Sequence, residues 1–430
     1  MSVNRRGFPD GAAAAGTAAT PAPAPAAETP PPPSATAAEP PRLPFPRANV
    51  LDPAPGFAAL RAEGPITRVR TMAGDLAWAV TGYEVARDLL TDARLGRSHP
   101  HPERAARISG SPVSGGPLGD HAIEAEMHRR MREALSPGLG SRRVRTLTAR
   151  VESRAAQLLD AMAAMTPPVD LHQVFSQPLP VHLMCELFGV PPADRDGFLV
   201  WSASFTRLDD PDAARAAQEA LSSYVAGLIE EKRRRPAEDL ISDLAAITGL
   251  PDAAIVSLTG QLVFAGHDTA ASRIDYGAIF LMREREQRAA LGADPALLTG
   301  AVEEVLRMSV PSDHGMVRYA HTDIETSAGV TIHEGEAVLL FHGVANRDPS
   351  VFTEPERFLI DRPAGVPHLG LGYGIHYCLG APLARLELRA ALGGLFGRFP
   401  ELSLAVPLED LKPREHHLTG GLTALPVTWP

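Results

Sequence analysis

Cys378 lies within HLGLGYGIHYCLGAPLARLE, His368 to Glu387, and is one of two cysteines in the chain. Glycines permit close backbone approach and positive φ, so a loop crowded with them can lie against something bulky. A helix that starts just after the cysteine favours negative charge at its N-terminus, which promotes thiolate over thiol. The stretch reads as a cysteinate held beneath a large flat partner, whether substrate, protein or metal cofactor. Cys185, in LPVHLMCELFGV on an apolar helix, reads instead as a small buried hydrophobe.

LVFAGHDTAAS, Leu262 to Ser272, is the second stretch with chemical content. It falls inside a helical pattern of about 30 residues, or about 45 Å at 1.5 Å per residue. Gly266 in mid-helix costs about 1 kcal/mol against alanine and needs a reason. Thr269 can bond back to the carbonyl of Ala265, four residues earlier, and open the helix locally. Ala265, Gly266, Asp268 and Thr269 would then form a groove where a small ligand receives protons. The alternative is a helix–helix contact at small residues, with Asp268 on a solvated face.

Three charged constellations follow. Glu304 and Arg307 in AVEEVLRMS share a helix face at i,i+3, either as a surface pair or as something built. His128 and Arg132 in EMHRRMRE are cations at i,i+4, which repel unless an anion lies opposite; an Arg-rich solvated face is the alternative. Arg357, in the Pro-broken ANRDPSVFTEPERF, suits an arginine that pins loop carbonyls or a carboxylate.

The elements that must position these groups are mostly helical. Helical patterns cover Thr146–Met165, Asp212–Arg235, Ala253–Glu284 and Ala301–Met308. ITRVRTM and LAWAVTG flank Ala73-Gly74-Asp75 as a hairpin. The long Gly/Pro/Ser-rich SHPHPERAARISGSPVSGGPLGDH that follows suits a lid over a pocket. Residues 1–45 are Ala/Pro/Thr low complexity, unable to bury a core, and are expected to be a disordered tail; residues 46–430 are expected to form the folded domain. The expected fold class is mainly α with a small β subdomain.

Composition excludes several functions. Asp+Glu 51 against Lys+Arg 41, a net charge of -10, leaves no nucleic-acid footprint. Two cysteines are too few for a disulfide framework, which suits a reducing cytoplasm. NRRGF near the start has a twin-arginine look, but the following Ala/Pro tract lacks an apolar core. No apolar run is long enough for a membrane span. Walker, H-E-x-x-H and G-x-S-x-G motifs are absent. A Cys–His nucleophile pairing Cys378 with His376 is conceivable, but gives the groove helix and the basic pairs no task.

In this order the segments resemble one family, the cytochromes P-450 in their soluble bacterial form, from about Leu43 to the C-terminus. The cysteine loop matches F-x-x-G-x-x-x-C-x-G over Leu371–Gly380, with Leu371 where the family has phenylalanine. Ala265–Thr269 matches A-G-x-[DE]-T, Glu304–Arg307 matches E-x-x-R, PERF supplies Arg357, and His128–Arg132 matches H-x-x-x-R.

The resemblance implies a long central helix over a haem, with the cysteine-ligand loop beneath it. Cys378 would be the axial thiolate of haem b, in a loop whose cofactor-contacting positions include Leu371, Gly372, Gly380 and Ala384. His128, Arg132, Arg318 and His376 would bind the propionates. Oxygen would bind at Ala265–Gly266, with Asp268 and Thr269 steering protons. Glu304, Arg307 and Arg357 would form a structural triad. Leu371 implies a shifted reduction potential, since packing tunes a metal site.

Phe264, His314, Met316, Leu418 and Thr419 would wall a substrate pocket. The implied reaction is oxygen-dependent hydroxylation or epoxidation of a medium-sized organic substrate, in the manner of natural-product biosynthesis. Family members that couple rings and non-catalytic haem sensors are the alternatives. Electrons would come from a ferredoxin or flavodoxin with an NAD(P)H reductase, and Arg129–Arg132 and Arg142–Arg145 would offer a docking patch.

Overall fold

The computed structural model describes residues 39–109, 115–205, 211–310, 314–414 and 420–430. Its axis is a helix of 32 residues, Asp252–Arg283, close to the length that periodicity predicts. From Ala270 to Met282 every residue of this central helix except Arg273 is buried. A helix buried nearly all round needs neighbours on every side. They are Pro178–Phe188, Pro211–Arg234, Leu298–Met308 and Ala381–Arg398, which share one large apolar core with it. Gly277 permits the closest of these contacts, since an added Cβ would stand 3.0 Å from Leu392.

The expected hairpin forms as strands Ile66–Arg70 and Leu76–Val80, with Gly74 at φ +95° closing the turn. Its second strand continues into a five-stranded sheet by parallel pairing with Ala337–Leu340, then antiparallel to Met316–Ala320 and on to Leu95–Gly96. Alternation sends Val338 and Leu340 to one small core and Ala337 and Leu339 to another. A second sheet joins Val169–Asp170, Pro426–Thr428 and Ser403–Leu404.

The folded unit begins at Pro40, ahead of the expected residue 46. The Leu43 N–H donates to the Arg70 carbonyl at 2.8 Å, the Leu43 side chain is buried, and Phe45 packs edge-on to Phe57 at 5.2 Å. The expected tail lies outside the described residues except for its last seven positions. Of the lid-like segment, residues 110–114 also lie outside them. What surrounds these five is pinned: the Leu118 N–H bonds the Arg97 carbonyl and the Arg107 N–H bonds Asp75.

Candidate active site

The cysteine loop meets the start of the helix Ala381–Arg398, as its glycines imply. Gly372 and Gly374 take φ of +73° and +62°, and a Cβ on Gly374 would stand 2.9 Å from the Leu90 carbonyl. A Cβ on Gly370 would overlap the Leu306 carbonyl, so that residue's lack of a side chain lets the loop press on the E-x-x-R helix. The Cys378 N–H donates to the Leu371 carbonyl at 2.9 Å, and Leu371 itself packs on the main core. Gly380 caps the helix and the half-buried Ala384 sits in its first turn.

Cys378 is exposed, yet burial raises its pKa against the opposing pull of the Gly380 N–H, Arg132 and Arg385. That combination marks an internal space rather than the outer surface. The helix N-terminus alone does not make this thiol acidic; a bound cation or metal centre would. Cys185 is fully buried and its thiol is pushed up to about 12, in keeping with a hydrophobe's role.

Two arginines and two histidines converge nearby. The rings of His128 and His376 lie 4.5 Å apart, and Arg318 is 8% exposed. Burial and the neighbouring Arg97 push Arg318 down to about 10; burial, Arg318, His128 and Arg97 push His376 down to about 4. Glu124 is the carboxylate that acts on this group, but it is engaged by the backbone N–H groups of Arg97 and Ser98 at 2.7 and 2.8 Å. The Arg97 Nε is buried without a partner. Two arginines, one with an unsatisfied donor, beside two imidazoles fit a dianionic group such as the two propionates of a haem. Arg97 is missing from the sequence reading; a basic residue in a Gly/Pro-rich stretch gave no motif to find it by. Arg132 reaches the cysteine loop itself, donating to the Tyr377 carbonyl at 2.9 Å.

On the central helix, Thr269 Oγ1 donates to the Ala265 carbonyl at 2.6 Å. Both residues are exposed and so lie on a face that the packed neighbours leave open. Gly266 does not: an added Cβ would stand 3.1 Å from Met184 Sδ, which makes it a helix–helix contact. Asp268 is neither in the groove nor on a solvated face. It is 1% exposed and pairs with Arg414 at 2.7 Å.

The buried triad forms with one replacement. Glu304 and Arg307 pair at 2.7 Å, both nearly inaccessible, which rules out a surface pair. The third member is Arg362, whose Nε and Nη2 reach Glu304 at 3.1 and 2.9 Å. Arg357 points outward to Glu354, and only its carbonyl serves the cluster, accepting from Arg307 and Arg362 at 3.1 and 3.0 Å. Arg357 follows a turn whose backbone faces inward, and the chain needs five more residues to bring an arginine back. Burial pushes the Glu304 pKa up, but bonds from Arg307 and Arg362 outweigh it and hold the carboxylate ionised. Arg307 also bonds the Asn346 carbonyl at 2.9 Å, and Asn346 Oδ1 receives the Leu369 N–H at 2.7 Å, which ties the triad to the cysteine loop.

Phe264 is half-buried on the central helix, and Met316 shares a strand face with Arg318. His314 lines a small separate recess with Leu43, Thr71 and Ile108. Leu418 and Thr419 lie outside the described residues. Half of the arginines in the expected basic patch are paired with carboxylates: Arg129 with Glu126 and Glu133, Arg130 with Glu126, and Arg143 with Asp243.

The family model described as Cytochrome P450 matches residues 210–426. The chain is 41% identical to pentalenolactone synthase of Streptomyces exfoliatus over 401 residues, covering 91% of this chain and 100% of that protein. Its fold is similar to that of the mixed-function P450 MycG, with TM-score 0.84 and 36% identity over 91% of this chain and 100% of that one. It is similar also to PimD, a polyene macrolide antibiotic pimaricin epoxidase, with TM-score 0.81 and 40% identity over 90% and 99% of the two chains.

Proposed function

The chain belongs to the cytochrome P450 family of haem-thiolate monooxygenases, and on that premise we propose that Cys378 is the axial ligand of a b-type haem used to oxidise a medium-sized natural product. The observation that carries this reading is the cluster Arg97, His128, Arg318 and His376 gathered at the cysteine loop, with the unpartnered Arg97 Nε among them. When bound, the haem supplies oxygen binding and reductive activation, so that one oxygen atom enters a substrate C–H or C=C bond and the other leaves as water, with two electrons and two protons consumed.

The protein's own residues do the rest. Arg97, Arg318 and the two histidines orient the cofactor through charge-assisted hydrogen bonds to its carboxylates. Thr269 holds a hydroxyl at the reaction face, where it can pass a proton inward while staying bonded to the Ala265 carbonyl. Asp268, next along the chain, steers protons to that hydroxyl once it parts from Arg414 and takes one up. The triad Glu304, Arg307 and Arg362 fixes the backbone that carries the cysteine loop. Leu371 shields the cysteine with an aliphatic side chain in place of a ring, and shifts the reduction potential.

Electrons come from a separate ferredoxin or flavodoxin with its NAD(P)H reductase, in the cytoplasm. No helix among the described residues is long and apolar enough to cross a membrane. The relatives' activities, which include an antibiotic epoxidase, favour tailoring of a secondary metabolite. The test is the absorption spectrum of purified protein reduced with dithionite and exposed to carbon monoxide. A strongly red-shifted Soret band that Cys378→Ala abolishes supports the assignment. A haem spectrum without that shift, or protein that takes up no haem, overturns it.

A further inference from the structure

Three residues of the central helix, Ala265, Thr269 and Arg273, follow at i, i+4 and i+8 and lie within one face. Ala265 and Thr269 are exposed, and Arg273 is the single residue between Ala270 and Met282 that is not buried. The helix runs through the middle of the core, and this stripe is a face that its packed neighbours leave uncovered.

An arginine in such a wall requires a reason. Arg273 Nη1 donates to the Ser309 carbonyl at 2.7 Å, the last carbonyl of the E-x-x-R helix region. That uses one of the five guanidinium donors. No carboxylate of the described residues pairs with the side chain, and desolvation pushes its pKa down to about 10. The same Ser309 carbonyl lies 3.2 Å from where a Cβ of Gly343 would stand, which brings His342 into the neighbourhood. His342 Nε2 is buried with no partner, and its pKa is held at about 4 by burial, Arg318 and Arg273. This corner of the space is therefore positive and unsatisfied. Arg318 acts on His342 as Arg273 does, so this corner adjoins the propionate cluster and extends it along the central helix.

We propose that Arg273 is a substrate-recognition residue and that the natural substrate carries a carboxylate, bound by the remaining guanidinium donors one helical turn beyond Thr269. A planar guanidinium matches a carboxylate with two parallel hydrogen bonds, and burial strengthens both. The four residues from Thr269 to Arg273 rise about 6 Å, which sets the oxidised carbon several bonds from the acid group. The inference rests on the monooxygenase reading and names the class of molecule that enters the same site.

The test compares binding of matched acids and methyl esters to the haem-loaded enzyme by equilibrium dialysis at neutral pH. The probes are dodecanoic, 4-phenylbutyric and abietic acids with their methyl esters, against wild type, Arg273→Gln and Arg273→Lys. The expected result is at least one acid bound about tenfold or more tighter than its ester, the size of a charge-assisted bond. Arg273→Gln should bring that ratio close to one with haem content unchanged, and Arg273→Lys should recover part of it. The proposal is overturned if no probe pair favours the acid, or if the preference survives in Arg273→Gln. Loss of haem from Arg273→Gln would make the arginine a cofactor contact and overturn it equally. Should that variant fail to fold, the wild-type ratio and Arg273→Lys decide: a preference undiminished in the lysine variant counts against a bidentate site. A normal carbon-monoxide spectrum without acid preference defeats this inference alone, whereas an absent thiolate signature defeats the monooxygenase reading as well.

Discussion

Asp268 on the central helix and Arg414 near the C-terminus meet at 2.7 Å, with the carboxylate 1% exposed and the arginine side chain 11% exposed. Removing one member of a buried pair leaves the other's desolvation uncompensated. Arg414→Ala is expected to lower the unfolding free energy by about 3 kcal/mol. The double variant Asp268→Asn/Arg414→Ala should recover part of that loss, read as a coupling energy from urea unfolding of all four proteins. Strict additivity would mean that the two side chains do not stabilise each other.

The triad gives a contrast between two arginines five residues apart. Arg362→Ala removes three of the bonds to the buried Glu304, whereas Arg357→Ala removes only an exposed pair with Glu354. The first should cost about 3 kcal/mol and the second no more than about 0.5 kcal/mol. Thermal unfolding of the two variants side by side decides it, and the opposite ranking would return the triad to Arg357.

Thr269 offers its hydroxyl to the Ala265 carbonyl and to the interior space at once. Thr269→Ala keeps the helix but removes the hydroxyl, so haem binding should persist while a larger share of NAD(P)H consumed appears as hydrogen peroxide. Thr269→Ser should restore most of the coupling. Product and peroxide formed per NAD(P)H are the quantities to compare. Equal coupling in wild type and the alanine variant would remove Thr269 from proton handling.

Two buried histidines should make stability depend on pH in opposite senses. At His172, burial works against the proton, but Asp275 at 2.7 Å outweighs it, and Arg414 and Asp170 also act on the ring; the pKa is raised. Its stabilisation is complete below the unfolded value of about 6.5 and is lost as pH rises through the higher folded value. His182 is held at about 4 by burial, Arg154 and Arg195, against Asp196 and Glu186. The unfolded chain takes up that proton first, so stability falls as pH drops from about 6.5 towards 4. Urea unfolding across pH 4 to 9 should show His182→Gln flattening the acid limb and His172→Gln flattening the alkaline one.

What the sequence discloses is mostly what is local in the chain. The central helix, the hairpin at Gly74 and the cysteine loop are written in short-range periodicity and in glycines that the backbone needs nearby. The partners of charged groups are not. Arg414 reaches Asp268 across 146 positions, Arg362 reaches Glu304 across 58, and no pattern around either arginine differs from that around its neighbours. PERF directs attention to Arg357 because a motif records residue type and says nothing of which way a side chain leaves the turn. Gly266 shows the same limit, since a mid-helix glycine announces close approach without naming Met184 as what approaches.

The parallel pairing of Leu76–Val80 with Ala337–Leu340 has a bearing on how the protein is made. Trp78 bonds Glu336 across 258 positions, and the cationic cluster gathers its members from residues 97 to 376. While the ribosome is still adding residue 300, the hairpin has no third strand and Arg97 has neither Arg318 nor His376 beside it. Closing such long loops is slow because their entropy is lost before contacts form. Cofactor capture is therefore an event of the finished polypeptide, and a nascent chain stalled before Cys378 would emerge without colour.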